Sequence, residues 1–185
     1  MKRSQFLLAL ASLCIVGGSF FMKTNFSNTS EPKIITDPSR YQEIRNQLWS
    51  DNDQVKHFPN QIPTDAKGVR IAYSPEFLPG SSFFQIRLKE PQNKIEKLLS
   101  QYRSSAKHKY WGGNTNDHMN QPNGVPTTFF YTSDFHTESF PASYEILVLN
   151  ADDKGRLGFK WNHGDSYGVA INTSASEIIY WSEKW

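Results

Sequence analysis

Phe84-Gln85-Ile86-Arg87-Leu88-Lys89-Glu90-Pro91 is where the patterning of the chain changes, and that change decides the fold. Up to Lys89 apolar and polar residues alternate, the two-residue period of a strand with one buried face. Beyond Pro91, Ile95, Leu98, Leu99 and Tyr102 recur at i, i+3, i+4 and i+7, while Lys94, Glu96, Lys97, Gln101 and Arg103 lie mainly off that stripe. The spacing predicts a helix over about 91–108 lying on a sheet.

Working outward, Val69, Ile71 and Tyr73 alternate with Arg70 and Ala72, and Pro75-Glu76-Phe77-Leu78-Pro79-Gly80 can turn the chain, so a hairpin is expected here. Residues 51–68, with Pro59, Pro63 and Gly68, read as an irregular crossing. Asp37-Pro38 supplies an N-cap and a first-turn proline, and Tyr41, Ile44 and Leu48 follow at helical spacing, which predicts a short helix over about 38–50. Downstream, strands are expected at Thr127 to Thr132, Tyr144 to Leu149, Ser166 to Asn172 and Glu177 to Trp181. Ile146-Leu147-Val148-Leu149 is continuously apolar and suits a strand shielded on both faces. Asp152-Asp153-Lys154-Gly155 and Thr173-Ser174-Ala175-Ser176 read as turns. The expected class is α+β: an antiparallel or mixed sheet of five to six strands, covered by the long helix, with the short N-terminal helix beside it.

The 185 residues suit one domain, and 37% apolar residues with 20 Lys plus Arg against 18 Asp plus Glu describe neither a disordered chain nor a polytopic membrane protein. Lys2, Arg3 and Lys23 lie in the first 24 residues, which hold no acid. The rest of the chain is therefore almost neutral, with no basic cluster interleaved with aromatics, so nucleic acid is not an expected partner.

Between Arg3 and Lys23 runs an uncharged stretch, Phe6 to Met22, that reads as a membrane-directed helix. Phe20, Phe21 and Met22 extend it beyond Gly17-Gly18, which favours an uncleaved single-pass anchor. The alternative is a signal peptide cut after small residues near Gly17-Gly18-Ser19, leaving a secreted or periplasmic product. Lys2 and Arg3 keep the N-terminus cytoplasmic and place the rest beyond the membrane. Leu13 before Cys14 argues against a lipoprotein. The expected organisation is thus a signal-anchor or signal peptide at 1–23, a polar tether at 24–36 and an extracytoplasmic domain at 37–185. Cys14 is the only cysteine, so disulfides, zinc-thiolate sites and a cysteine nucleophile are excluded from that domain.

Trp111 opens a stretch to Gly124 without periodicity, in which Asn114, Asn116, Asp117, His118 and Asn120 offer donors and acceptors beside an indole face. Such a set suits a hydroxyl-rich ligand such as a glycan, and it equally suits a turn-rich connection. Asp134, His136 and Glu138 are spaced by two. On an extended backbone they share one face at about 6.6 Å intervals, within reach of one divalent metal, although a solvated strand face has the same pattern. His163-Gly164-Asp165-Ser166 holds the residue types of a hydrolytic triad, but sequence neighbours cannot converge as a triad must. Asn150 to Gly155 fails as a calcium loop, because Lys154 stands where an oxygen ligand is needed. No nucleophile elbow, zinc-protease helix, phosphate loop or dinucleotide fingerprint occurs. Trp161, Trp181 and Trp185 with Tyr167 and Tyr180 read as core residues more readily than as a platform. His57 and His108 have no partner pattern.

The expectation is a membrane-anchored envelope protein whose extracytoplasmic domain binds a ligand or a protein partner, with the membrane engaged through residues 6–22. No cofactor is expected beyond a divalent metal at Asp134, His136 and Glu138, should those side chains converge. The rival reading is a metal-assisted hydrolase using His118, His136, His163 and nearby carboxylates.

Overall fold

The alternating segments pair as expected, but the sheet they build is covered on both faces. The computed structural model describes residues 34–49, 51–76, 80–113, 124–134 and 137–185. Six strands, β1 (Lys67–Ser74), β2 (Ser82–Lys89), β3 (His108–Trp111), β4 (Glu145–Asp153), β5 (Gly164–Asn172) and β6 (Glu177–Lys184), form one sheet in the order β1-β2-β6-β5-β4-β3. Every pairing is antiparallel. The class is therefore α+β. The described residues belong to one compact unit, 32–185, and none of its helices is long and apolar enough to cross a membrane. Residues 6–22 lie outside the described residues.

One face of the sheet carries Ile71, Tyr73, Phe84, Ile86, Leu88, Leu147, Val169, Ile171, Ile178 and Tyr180, all buried. Two longer helical elements cover it, together with the short 3-10 turn Asn52–Val55, which adds Val55. The first, α1 (residues 38–48), starts as anticipated, with the Asp37 carboxylate accepting from Ser39 N–H at 2.9 Å and Pro38 in the first turn. It then changes pitch. Tyr41–Glu43 is α-helical, Ile44–Leu48 is a π turn, and Trp49 N–H reaches Ile44 O at 2.9 Å. The extra residue in that turn rotates the stripe, so Trp49 enters the core at 4% exposure and Leu48, expected inside, stands 39% exposed.

The second element, α2 (Gln92–Ser105), buries Ile95 and Tyr102, with Leu98 and Leu99 packed at its margin. It is shorter than the helix expected over 91–108. Ala106 turns extended, Lys107 N–H donates to Val148 O, and His108–Trp111 joins β4 as an edge strand. Ala106 N–H still closes the last helical turn on Tyr102 O, and from Lys107 onward the ladder replaces helical hydrogen bonds. The other edge, β1, is partly closed by Ile35, which exchanges backbone hydrogen bonds with Tyr73. The last residues assigned to the polar tether, Ile34 to Thr36, accordingly run along the domain.

The opposite face carries Ile146, Val148, Ala170, Ile179 and Trp181, and irregular chain covers it through Val125, Phe130, Phe140 and Tyr144. Thr127 to Thr132, expected as a strand, makes no strand pairing. Side chains of β2 bond its backbone in place of a ladder.

Candidate functional site

On β2, Gln85 and Arg87 occupy the alternate positions that a one-sided sheet would give to water. Gln85 is instead fully buried, and only 14% of the Arg87 side chain is exposed. Gln85 Nε2 donates to Phe129 O at 2.8 Å, while its Oε1 accepts from Thr132 N–H at 2.9 Å and from the Thr132 hydroxyl at 2.7 Å. One amide side chain thereby replaces the strand ladder that this segment lacks. Arg87 Nη1 donates to Thr132 O at 3.1 Å and to Asp134 Oδ2 at 2.8 Å, and its Nε pairs with Glu177 Oε2 at 2.9 Å.

Arg70 lies directly across from Arg87 in the β1–β2 register, a like-charge pair that would repel. Asp134 pairs with both guanidiniums and holds them together. The Arg87 hydrogen bond, with lesser help from Arg70 and Lys89, keeps its carboxyl below the usual carboxylate range. Glu177, buried beneath Arg87, also accepts from the Tyr144 hydroxyl, and burial pushes that phenol up.

These anchors fix where three consecutive aromatics point. Phe130 turns inward, stacked on Phe140 at 4.8 Å between ring centres with the Arg87 guanidinium 5.4 Å from its own. Tyr131 stacks on Phe83 and donates to Glu183 Oε1 at 3.1 Å. Burial raises the Glu183 carboxyl to about 7, against hydrogen bonds from Thr128 and Tyr131 that lower it. Phe129 is left 44% exposed. Beside it opens a groove of about 290 Å³ lined by Ile34, Phe129, Phe130, Tyr131, Ser133, Thr137 and Glu138. The lining is mainly hydrocarbon and aromatic, with one carboxylate and three hydroxyls, the chemistry of a site for an apolar or aromatic group that carries polar substituents.

The residues singled out from sequence are distributed unevenly around this groove. Glu138 lines it. Asp134 lies at the end of the same wall, committed to Arg70 and Arg87. Trp111 is on the far edge strand, 63% exposed, opposite Glu145. Gly112 then passes so close to the 140–144 segment that a Cβ would sit 2.1 Å from Pro141 O, and its N–H donates to Tyr144 O. Asn114, Asn116, Asp117, His118, Asn120 and His136 lie outside the described residues.

His163 hydrogen-bonds through Nδ1 to Trp185 O at the end of the sheet where β5 begins. Arg87, which holds Asp134, pairs opposite Ile179, and Asp165 pairs opposite Lys184, about 16 Å of strand rise away, with His163 beyond Asp165. One ion cannot collect Asp134 and His163. Among the described residues no three His, Cys, Asp or Glu side chains are placed to hold a metal. Trp181 and Tyr180 are buried as expected, whereas Trp161, Tyr167 and Trp185 keep partial exposure.

His57 is a half-buried titratable group that sequence spacing gave no reason to notice. Its ring lies against Phe58 and Tyr167, Nε2 faces Gly168 O at 3.0 Å and Trp181 O at 3.1 Å, and Nδ1 is buried without a partner. Two carbonyl acceptors on Nε2 identify that nitrogen as the protonated one. Burial lowers the imidazole to about 3, so the ring stays neutral across the physiological range. It contributes a hydrogen-bonded wedge at the β5–β6 pair.

Comparison of the chain with protein-family models, with curated proteins and with solved structures returned no match.

Proposed function

We propose that this chain is a membrane-anchored binding protein of the cell envelope, held through residues 6–22, whose extracytoplasmic domain takes a ligand or a protein partner in the groove beside Phe129. The observation that carries the reading is the contrast between that groove and its support. Gln85 and Arg87 spend buried polar groups to hold the 129–134 wall rigid, yet the wall leaves the Phe129 ring exposed beside a concavity of about 290 Å³. Glu138 and the Ser133 and Thr137 hydroxyls add polar groups that orient an occupant. Aromatic faces with a carboxylate and hydroxyls suit a glycan, and they suit equally an aromatic side chain of an envelope protein.

The test is a thermal-shift titration of the full chain in detergent with glycans and with peptides bearing one aromatic and one cationic residue, beside zinc and manganese. A ligand at a hundredfold excess over its Kd raises stability by about 2.7 kcal/mol, a rise of about 5 °C or more for a domain of this size. That rise should disappear in Phe129→Ser while the unliganded Tm stays within a degree or two. Stabilisation by a stoichiometric metal, unaffected by Phe129→Ser and accompanied by hydrolysis, would transfer the function to the metal-assisted hydrolase. Absence of any response at millimolar glycan and peptide would remove the groove as the binding site.

A further inference from the structure

The connection between β4 and β5 carries Arg156-Leu157-Gly158-Phe159-Lys160 and holds two large apolar side chains away from the protein. Leu157 is completely exposed and Phe159 is 66% exposed. The turn beneath them is firmly built. Asp153 Oδ1 accepts from the backbone N–H groups of Gly155 and Trp161, Asn162 Oδ1 accepts from Arg156 N–H, and Phe159 N–H returns to Arg156 O. A Cβ at Gly155 would meet Phe159 O at 2.4 Å, so the closure requires glycine there. The Trp185 indole N–H binds Trp161 O at 2.7 Å and fastens the base to the end of β6.

Exposure on such a turn costs hydration free energy that a collapsed loop would avoid, and isolated exposed leucines are ordinary, so the neighbours decide the meaning. Arg156 and Lys160 flank the apolar pair, both exposed, and neither forms an ion pair among the described residues. Lys154, at the base, is already held by Asp165. The tip is thus apolar at its apex and cationic on its shoulders, and it holds both apolar side chains out from the protein. A protruding apolar apex with basic flanks matches a deformable surface of hydrocarbon under anionic phosphates.

We propose that the 156–160 tip is an interfacial wedge, which buries Leu157 and Phe159 at the headgroup boundary of an anionic lipid surface while Arg156 and Lys160 pair with lipid phosphates. This goes beyond the groove, and it does not depend on residues 6–22 acting as an anchor.

The experiment uses the full chain with Cys14→Ser, which removes its only thiol, and a single new thiol carrying an environment-sensitive fluorophore at Leu157→Cys or, as control, at Ser100→Cys on the exposed side of α2. With phosphatidylglycerol vesicles the probe at 157 should blue-shift and become accessible to quenchers in the lipid tails, with little change on phosphatidylcholine alone or at position 100. Exchanging Arg156 and Lys160 for serine should lower the ratio of inserted to free tip by about 25-fold, each cation contributing a factor of about five. Equal responses at 157 and 100 would mean that an N-terminal anchor alone brings the protein to the vesicle, and would overturn the wedge. Indifference to anionic lipid would also overturn it. So would a blue shift without vesicles that grows with protein concentration, the signature of a second copy on the tip.

Discussion

Glu183→Gln should convert a protein whose stability is nearly flat between pH 4.5 and 6.5 into one that weakens steadily with acid. His57 is held neutral down to about 3 against an ordinary value of 6.5, so below pH 6.5 the unfolded chain takes up a proton that the folded chain refuses. Folding stability then falls by about 1.4 kcal/mol for each pH unit until about pH 3. Glu183 acts in the opposite sense. Its carboxyl rises to about 7 from 4.5, so between those values the folded chain holds a proton that the unfolded chain has lost. Its contribution is fully present below pH 4.5 and disappears as the pH rises to about 7, again at about 1.4 kcal/mol per unit. The two slopes offset each other across the shared window. Removing the carboxylate leaves the His57 slope without its offset, and stability should fall by roughly 3 kcal/mol on going from pH 6.5 to 4.5. The assay is guanidinium unfolding followed by tryptophan fluorescence at half-unit steps, comparing wild type with Glu183→Gln. Other carboxylates contribute to both curves and cancel in the difference. Parallel curves across the window would show that Glu183 titrates as an ordinary surface glutamate and would refute the reasoning.

Gln85→Ala should cost about 3 kcal/mol, because Thr132 N–H and Phe129 O are left buried without their partner; denaturant midpoints measure the loss, and a cost below 1 kcal/mol would mean that the 129–134 wall is held otherwise. Asp134→Asn leaves Arg70 facing Arg87 and should lower stability by about 1 kcal/mol, most of it recovered in the Arg70→Gln, Asp134→Asn double variant; a double-mutant cycle reads the coupling, and additive losses would show no linkage. Trp49→Ala should destabilise by about 3 kcal/mol or more and Leu48→Ala by less than about 1 kcal/mol, an ordering set by the π turn; thermal unfolding of both variants checks it, and the reverse ordering would restore a regular helix over α1.

Much of the sheet is legible in residue periodicity. The alternation in β1 and β2 and the continuous apolar run in β4 each place side chains on the correct face, because burial is what generated those patterns. The departures occur where one interaction overrides a period. A single extra residue in the Ile44–Leu48 turn exchanges Leu48 for Trp49, and nothing in the spacing of Tyr41, Ile44 and Leu48 announces it. His108-Lys109-Tyr110-Trp111 is four residues long, too short for its alternation to stand out against a preceding helix, although Tyr110 does turn inward and its hydroxyl accepts from Val125 N–H. The run at 127–132 has strand-forming residues but pairs with no strand, because Gln85 and Arg87 reach its backbone first.

That last substitution explains why the candidate groove lay beyond sequence reasoning, which singled out only Glu138 of its lining. The alternation alone puts Gln85 and Arg87 on the solvent side of a half-buried strand. On a face that irregular chain must cover, they are what allows the cover to exist, since a buried connection without a ladder needs donors and acceptors from somewhere. A covering strand would have aligned its side chains alternately in and out and left a smooth exterior. A covering held at Phe129 O, Thr132 N–H and Thr132 O, and by the Asp134 carboxylate, is free to turn Phe130 inward, lay Tyr131 on Phe83 and leave Phe129 standing beside a hollow. The concavity therefore follows from the absence of the strand, and the signal that could have found it was polar residues of unusual chemistry, an amide and a guanidinium, at alternate positions of a central strand with a segment of three aromatics in search of a partner.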